Sequence, residues 1–465
     1  MENDIKLHFV VDMDEETANF SPHLGIGYLS AYLKHNIPGI KISLSLMTDD
    51  VFDDIHKINP DIIGLSCTSR YFLYFTDLAQ DFRVQFNVPI LWGGVHISIA
   101  PNELPISSCV GVLGEGELTV LELLNNFNGK EFENLHSIKG IVFRHESKLI
   151  VNEKRPFIEN LDLVPQPDLD LLRVTWNRRH RAVMTTSRGC PYKCRFCASS
   201  TFWDKTRLFS AEYVVSEMKN LIEKYDVREI LLFDDFFAID KKRVAKIVEL
   251  KRMEPRLSKV SFECLSRVDS FSEDLAKLLK ELGVNRISFG IESGCQKSLD
   301  YLKNKKISLS QVENTIRIAQ KYGFQCVGSF VIGSPYECEA DIRETFAFIE
   351  KLKLSSAQIT IATPFPGTGL WEDGKKIGKI RDDQWSDDYY VLFGMDATVN
   401  FRELLKGKTL LTQIEPEVFY GLLEEAKMLL NKINITFKQR MRKIIRNTII
   451  TLGLSFVLHN KKRSQ

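Results

Sequence analysis

The stretch Ser187-Arg188-Gly189-Cys190-Pro191-Tyr192-Lys193-Cys194-Arg195-Phe196-Cys197 holds three cysteines at a C-x3-C-x2-C spacing, directly after a strand-like segment. Three thiolates on one short loop can bind three irons of a 4Fe–4S cluster and leave the fourth iron without a protein ligand. An iron with an open coordination position is what substrate chemistry needs. The spacing therefore predicts an iron–sulfur site with Cys190, Cys194 and Cys197 as its ligands.

A zinc site is the alternative for these cysteines. Structural zinc takes four closed ligands, commonly from two C-x2-C pairs. The sequence has no second pair, and residues 188–200 contain no histidine. Cys264 or Cys295 would have to complete a zinc site alone, so the spacing favours the cluster.

The cysteine loop opens a series of six βα units. Strand-like apolar runs at 182–186, 229–233, 259–264, 286–290, 325–332 and 356–362 alternate with helical patterns. The helical stretches repeat apolar residues every three or four positions, and Ser308-x-x-Gln311 is a capping box that predicts a helix start. Such units predict a barrel or partial barrel whose functional residues lie at the carboxyl ends of its strands.

Residues 5–127 form a separate alternating series. Short strand-like runs at 7–11, 40–46, 62–66, 90–92 and 110–113 are separated by helical patterns, and a hairpin is predicted over residues 138–152. Strands alternating with helices predict a doubly wound parallel sheet, whose ligand crevice lies at the loops that follow the strands. The predicted fold class is therefore α/β. We expect a doubly wound sheet at 1–152, a linker at 153–180, a partial (β/α)6 barrel of the TIM type at 181–375, and a loop and helical region at 376–465.

Composition excludes several classes of protein. A chain of 465 residues with 44% hydrophobic and 26% charged residues is neither disordered nor a single small domain. The formal net charge of +1 gives the protein no overall positive field that would attract nucleic acid, and no nucleic-acid-binding module is recognisable. Nine cysteines, an odd number, without a recognisable secretion signal indicate reduced thiols in the cytoplasm.

The charge is unevenly distributed, because from Lys432 onward the chain carries Lys and Arg but no Asp or Glu. Basic residues at 440–446 precede an apolar run at 449–458. Such a helix can either pack its apolar face on the barrel or lie on the anionic inner surface of a membrane. We expect a cytoplasmic protein for which peripheral membrane contact is an open alternative.

The cysteine loop, with an aromatic Phe196 before its last cysteine, resembles the radical S-adenosylmethionine superfamily. That resemblance implies that the open iron chelates S-adenosylmethionine and that its cleavage yields a 5′-deoxyadenosyl radical. It also implies cofactor contacts after the other strands. The residues at these positions are Phe196, Asp234, Asp235, Arg267, Glu292, Ser293 and Gly333.

Asp234 and Asp235 stand where the family usually carries Gly-Gly-Glu, a substitution similar to that in its cobalamin-binding branch. Either carboxylate could accept hydrogen bonds from the ammonium of S-adenosylmethionine, since an ionised carboxylate is acceptor-only. Strand alternation does not decide between them.

Residues 5–127 resemble the cobalamin-binding domain that is fused to some radical S-adenosylmethionine enzymes. The matching stretches are Pro22-His23-Leu24-Gly25, a strand ending at Ser66, Trp92-Gly93-Gly94 and Gly114-Glu115-Gly116. The resemblance implies that Leu24, Gly25, Ser66, Gly93, Gly94, Gly114, Glu115 and Gly116 contact cobalamin. A nucleotide-free supporting domain is the alternative.

Cobalamin mutases carry an Asp-x-His-x-x-Gly motif whose histidine binds cobalt from below. Here the nearest match, around His56, lacks the glycine and lies before a strand. His96 is more typical of a polar residue at a strand end. From the sequence we expect no histidine below cobalt.

Together these resemblances imply a cobalamin-dependent radical enzyme that methylates an unactivated carbon of a small molecule, lipid or natural product. An external flavodoxin- or ferredoxin-like electron donor would be needed. One alternative is radical ring formation or oxidation, as in the anaerobic magnesium-protoporphyrin ester cyclase. A protein without catalytic activity, which only binds cofactors or transfers electrons, is the alternative outside the enzymes. An electron carrier, however, would need a fourth protein thiolate to close its cluster.

Overall fold

The computed structural model describes residues 5–12, 23–48, 50–172, 180–304, 307–381, 384–390 and 400–451, with side chains described up to residue 434. Its strands, in chain order, are β1 (Lys6–Val11), β2 (Lys41–Leu46), β3 (Ile62–Ser66), β4 (Ile90–Gly93), β5 (Val110–Val112), β6 (Ile141–His145), β7 (Lys148–Val151), β8 (Arg181–Met184), β9 (Ser187–Arg188), β10 (Arg207–Leu208), β11 (Glu229–Leu232), β12 (Ser261–Arg267), β13 (Val284–Glu292), β14 (Gln325–Ile332) and β15 (Ser356–Ile361).

The helices alternate with these strands over most of the chain. They are α1 (Leu24–Asn36), α2 (Val51–Ile58), α3 (Phe72–Phe86), α4 (Val95–Ile99), α5 (Gly116–Asn125), α6 (Leu169–Leu172), α7 (Ser199–Phe202), α8 (Ala211–Tyr225), α9 (Lys241–Arg252), α10 (Glu273–Leu282), α11 (Gln296–Lys303), α12 (Leu309–Lys321), α13 (Glu339–Leu352), α14 (Gly369–Lys376), α15 (Phe401–Leu404) and α16 (Pro416–Thr451).

The N-terminal strands form one sheet in the order β2-β1-β3-β4-β5-β6-β7. Pairing is parallel from β2 to β5, and the predicted hairpin adds β6 and β7 in antiparallel orientation. Five of the six residues of β1 are buried, as expected for a strand that helices cover on both faces. The predicted doubly wound sheet is confirmed.

The second sheet has the order β15-β14-β13-β12-β11-β8 and is parallel throughout. Strand order thus follows chain order, as in a barrel that has not closed. Ser308 caps α12 as predicted, because its side chain accepts a hydrogen bond from the backbone N–H of Gln311. The strands β12 and β13 extend further than predicted, so Arg267 and Glu292 end their strands rather than follow them.

The segment predicted as a linker packs closely against the N-terminal domain over its described part. Leu161, Val164, Leu169 and Leu172 are buried in the main hydrophobic core. The backbone N–H of Asp168 donates to the carbonyl of Gly27 in α1. The predicted domain boundaries themselves stay a prediction.

The C-terminal region consists of α15 and the long helix α16, which begins at Pro416 as predicted. Phe419, Leu422, Leu423 and Ala426 are buried against the barrel, so the first half of α16 belongs to the core. The basic and apolar patch predicted at 440–458 lies outside the residues whose side chains are described. Over the part of the chain that the structure describes, no helix is both long and apolar enough to cross a membrane.

Candidate functional site: a cavity between the two sheets

One large cavity lies where the carboxyl ends of the N-terminal strands face the carboxyl ends of the barrel strands. Its volume is about 420 Å³, and it opens to solvent on one side. This volume lies within the roughly 300–1000 Å³ of ligand sites in proteins. The N-terminal domain contributes its strand-end loops, and the barrel contributes Arg188, Gly189, Phe233 and Asp235.

All eight residues predicted to contact cobalamin line this cavity: Leu24, Gly25, Ser66, Gly93, Gly94, Gly114, Glu115 and Gly116. A Cβ atom at Gly25 would meet no protein atom within 4 Å, and one at Gly93 would meet only a carbonyl oxygen at 3.8 Å. No protein contact therefore requires glycine at these two positions. A side chain there would extend into the cavity, so the glycines fit a wide ligand that approaches the backbone closely.

At Gly94, in contrast, the backbone conformation itself requires glycine. Its φ is +99°, and a Cβ atom there would lie 2.4 Å from the carbonyl oxygen of Cys67. Only glycine permits this turn between β4 and α4. The turn brings the end of β4 against the segment after β3.

Glu115 is bound by the protein on both of its oxygens. Arg188 donates to Oε1 at 2.6 Å, and Arg207 and the backbone N–H of Ile158 donate to Oε2 at 2.9 Å each. Arg188 also donates to Glu117 at 2.7 Å, which completes a buried network of two arginines and two glutamates. Burial alone would raise the pKa of Glu115, but the hydrogen bonds from Arg207 and Arg188 hold it below its usual value.

Arg188 and Gly189, which lead into the cysteine loop, line the barrel side of this cavity, whereas the three cysteines do not line it. Gly189, just before the first cysteine, has a φ of +87°, and a Cβ atom there would lie 2.7 Å from the carbonyl of Lys205. The guanidinium of Arg195 pairs with both carboxylate oxygens of Asp373, at 2.6 and 3.0 Å. The glycine permits the turn before the first cysteine, and the Arg195–Asp373 pair ties the loop to α14.

The three cysteine side chains are free thiols of intermediate exposure. Burial raises the pKa of Cys190, and it raises that of Cys197 to about 11. Positive charge from bound iron would offset this cost, because a coordinated thiol is deprotonated. The donor set of three cysteines on one loop therefore fits the predicted cluster. Phe196 packs among the apolar side chains next to the loop.

Asp234 and Asp235 have different surroundings. Asp234 is 1% exposed and accepts hydrogen bonds from the backbone N–H and hydroxyl of Thr186 and from the hydroxyl of Ser187. Asp235 lines the cavity and accepts one hydrogen bond, from Ser199 at 2.5 Å. The first carboxylate thus fixes the backbone that leads into the cysteine loop, and the second is open to a ligand.

Arg267 lies beside the cysteine loop. Its guanidinium carbon is 3.5 Å from the ring centre of Tyr192, and Nη1 is 3.5 Å from Sγ of Cys194. Its other nitrogens donate to Asp269 at 2.9 and 3.1 Å. A bidentate carboxylate partner therefore orients this arginine towards the cluster position.

The other predicted cofactor contacts are engaged within the barrel. Glu292 pairs with Lys303 at 2.7 Å, and both are buried. Ser293 is fully buried and shares a hydrogen bond with Thr345. The backbone N–H of Gly333 donates to the buried Glu337 at 2.7 Å. These three residues lie at strand ends as predicted, but they do not line the large cavity.

Sequence reasoning missed two features of the cavity. His23 lines it and is paired with Asp12, at the end of β1. Behind Tyr28, another lining residue, the fully buried Glu217 carries a pKa that burial raises to about 8. A histidine and a glutamate at such positions carry no local motif, and only the tertiary contacts reveal them.

Two family models match the chain, the radical SAM superfamily at residues 184–349 and the B12 binding domain at residues 13–124. An uncharacterized methyltransferase of Pyrococcus horikoshii is 34% identical over 442 residues, which cover 92% of this chain and 90% of that protein. The anaerobic magnesium-protoporphyrin IX monomethyl ester cyclase of Rubrivivax gelatinosus is 26% identical, and the match covers 78% of this chain and 68% of the cyclase.

Among solved structures, the radical S-adenosylmethionine methyltransferase TsrM from Kitasatospora setae, with cobalamin and a 4Fe–4S cluster bound, superimposes with a TM-score of 0.67. The match covers 82% of this chain and 79% of TsrM at 17% sequence identity, so it concerns the fold. The fold and the cysteine loop define a radical S-adenosylmethionine enzyme with a B12-binding domain.

The chain belongs to the cobalamin-dependent radical S-adenosylmethionine methyltransferase family. The predicted fold class, enzyme class and cofactors are thereby confirmed. The cofactors are a 4Fe–4S cluster, S-adenosylmethionine and cobalamin.

Proposed function

We propose that this enzyme transfers a methyl group to an unactivated carbon of a small-molecule substrate. The observation that supports this reaction is the shared cavity, since the glycine loops of the B12-binding domain and the cysteine-loop side of the barrel line one space. When bound, the cofactors would supply a carbon-centred radical and a methyl group. The residues of the chain bind and orient them and exclude water.

We assign Cys190, Cys194 and Cys197 as the cluster ligands, and Asp235 as the acceptor for the ammonium of S-adenosylmethionine. Asp235 has a free acceptor position at the cavity, whereas Asp234 is used by the backbone before the cysteine loop. A charge-assisted hydrogen bond to a carboxylate is among the stronger ones in proteins.

Of the other residues predicted to bind S-adenosylmethionine, we assign Arg267 to the cluster edge because of its approach to Cys194. Glu292, Ser293 and Gly333 would act by shaping the rim of the barrel, since their side chains or backbone are bound within it. Phe196 would pack behind the cluster.

We assign the cobalamin site to the glycine loops, with Gly25 and Gly93 giving the ligand access to the backbone. Leu24, Ser66, Gly94, Gly114 and Gly116 complete its lining, while Glu115 supports it through the two arginines.

The cavity favours a substrate with apolar surface. Phe202, Trp203 and Phe233 line it beside Asp235, and Phe233 is 46% exposed. Aromatic faces shield reacting atoms from water and provide area for an apolar or aromatic group. A small natural product or lipid with apolar surface fits this lining.

Two further partners belong to the proposal. Reduction of the cluster requires an external donor of the flavodoxin or ferredoxin class. Contact of the basic C-terminal end with an anionic membrane would bring the enzyme to a lipid substrate. Sedimentation with anionic and with neutral vesicles tests that contact, and equal recovery in both supernatants would contradict it.

Product analysis tests the reaction itself. The full-length enzyme, reconstituted anaerobically with iron, sulfide and cobalamin, is incubated with reduced flavodoxin, trideuteromethyl-labelled S-adenosylmethionine and extracts of candidate substrates. A product that gains the labelled methyl group, and is absent with Cys194→Ala, supports methyl transfer. A product that loses hydrogen without gaining the label would instead indicate the ring-forming or oxidising reaction suggested by the relative from Rubrivivax gelatinosus.

A further inference from the structure

His23 is placed in the cavity by two independent contacts. Its backbone carbonyl accepts the first hydrogen bonds of α1, from the N–H groups of Ile26 and Gly27. Its ring nitrogen Nε2 lies 2.9 Å from Oδ1 of Asp12, which is 4% exposed. The main chain of His23 is thus fixed at the start of α1, and its imidazole is fixed at the end of β1.

Asp12 is itself held in one orientation. Its second oxygen, Oδ2, accepts hydrogen bonds from the backbone N–H of Thr68 at 2.5 Å and from the hydroxyl of Thr68 at 2.7 Å. A carboxylate held in this way accepts from His23, so Nε2 of the imidazole carries the proton. The lone pair of the neutral ring then lies on Nδ1.

Nδ1 of His23 has no hydrogen-bond partner within the described ranges of the chain, and it is not among their buried unpaired atoms. The side chain is 16% exposed and lines the cavity. An imidazole that donates one N–H to a buried carboxylate and leaves its other nitrogen accessible has the arrangement of most metal-binding histidines.

Two other histidines near the N-terminal sheet, His56 and His96, have different surroundings. The ring of His56 contacts Gln85 on the outside of the domain. His96 is bound by Ser69 and stacked on Phe72, and neither His56 nor His96 lines the cavity. His23 thus differs from the two histidines considered from the sequence.

The walls of the cavity give the direction of the contact. His23, Thr68 and Gly94 belong to the strand-end loops of the N-terminal sheet, while Gly189 and Asp235 lie across the cavity on the barrel. A nitrogen ligand from His23 would therefore come from the wall of the cavity that the N-terminal sheet forms.

We propose that His23, oriented by Asp12, provides a nitrogen ligand to the cobalt of the bound cobalamin from the side of the N-terminal sheet. This inference rests on the cobalamin site of the proposed function. It departs from the expectation, drawn from the sequence motif, that no histidine lies below cobalt. The motif requires a fixed spacing, whereas Asp12 and His23 are brought together across the loop between β1 and α1.

Electron paramagnetic resonance of the cobalt(II) form tests this contact directly. The full-length holoenzyme is loaded with cobalamin, with its cluster in the oxidised, silent state, and prepared with ordinary and with 15N-labelled histidine. A histidine ligand splits each cobalt line into three with ordinary nitrogen and into two with the label. Three lines in both samples would mean that the cofactor's own base is the ligand, and absence of splitting would mean that no nitrogen is bound. Either result overturns the proposal.

The variants separate this inference from the proposed function. His23→Ala should retain cobalamin, measured by absorbance, and lose the histidine splitting, whereas the exterior control His56→Ala should keep both. Asp12→Asn should weaken binding of cobinamide, which lacks the base, by about 10- to 100-fold. If the parent protein binds no cobalamin at all, the cobalamin site of the proposed function fails. If it binds cobalamin without histidine splitting, only the role of His23 fails.

Discussion

Replacement of Glu115 by glutamine tests whether the buried ion network joins the two domains. The change preserves the shape of the side chain and removes its charge. Arg188 would keep Glu117 as a partner, because its second nitrogen donates there. The charged partner of Arg207 on this network would be lost, and the Arg207 side chain is only 4% exposed.

The expected loss of stability follows from that burial. Removing one member of a buried ion pair leaves an uncompensated charge and costs about 3–5 kcal/mol. This corresponds to a change of roughly 100- to 5000-fold in the unfolding equilibrium. Glu153→Gln is the matched control, since Glu153 pairs with Lys139 at 2.8 Å with both side chains largely exposed. An exposed pair contributes about 0.2–1 kcal/mol.

Urea unfolding of the full-length apoprotein, followed by tryptophan fluorescence, measures the difference. Combining Glu115→Gln with Arg207→Met should recover much of the loss, because the unpaired charge is then removed as well. Equal, small effects of Glu115→Gln and Glu153→Gln would refute the reasoning. So would a double variant less stable than either single change.

Three further predictions concern the cavity. Asp235→Asn should weaken S-adenosylmethionine binding by about 10- to 150-fold, the equivalent of about 1.5–3 kcal/mol. Asp234→Asn should chiefly destabilise the fold. Titration of the cofactor into cluster-loaded protein measures both affinities, and equal losses of affinity in the two variants would contradict the assignment. Gly25→Leu should lower cobalamin affinity at least about tenfold without loss of apoprotein stability, while Gly421→Leu, also with open space at Cβ, should leave affinity unchanged in a binding titration. Burial raises the pKa of Glu217 to about 8. The contribution of the neutral carboxyl group to the free energy of unfolding is therefore fully present below about pH 4.5 and is lost as the pH rises through 8. Glu217→Gln should remove this pH dependence of the free energy of unfolding, and at high pH the variant should be more stable than the parent by on the order of 3–5 kcal/mol. Parallel plots of unfolding free energy against pH for the two proteins would disprove the prediction.

The order of strands and helices could be predicted because each element carries its own pattern. Buried parallel strands are recognisable in the sequence as apolar runs, and Ser308 marks the N-terminus of its helix. The ends of strands were less predictable, since alternation continues only as far as the strand does. The strand before the aspartate pair ends at Leu232, and the following turn buries Asp234 and leaves Asp235 in the cavity.

The contacts that shape the site could not be predicted from local sequence. Glu115 and Arg207 are separated by 92 positions, and their pairing exists only once the two domains meet. Asp12 and His23 lie 11 positions apart, but no spacing rule connects them. Such pairs depend on the folded topology, whereas a cysteine loop is complete within a few residues.

The same long-range contacts position the cysteine loop. Asp234 fixes the backbone ahead of the loop, Arg188 ties it to Glu115 in the other domain, and Arg195 is paired with Asp373 from beyond the last strand. These contacts come from three separate parts of the chain and use charged groups that need not touch the reacting atoms. Since misplacement of a site by about 1 Å can cost about a hundredfold in rate, each group is expected to affect catalysis through position alone. The network around Glu115 thereby connects the B12-binding domain directly to the residue two positions before the first cysteine, which a flexible linker would not do.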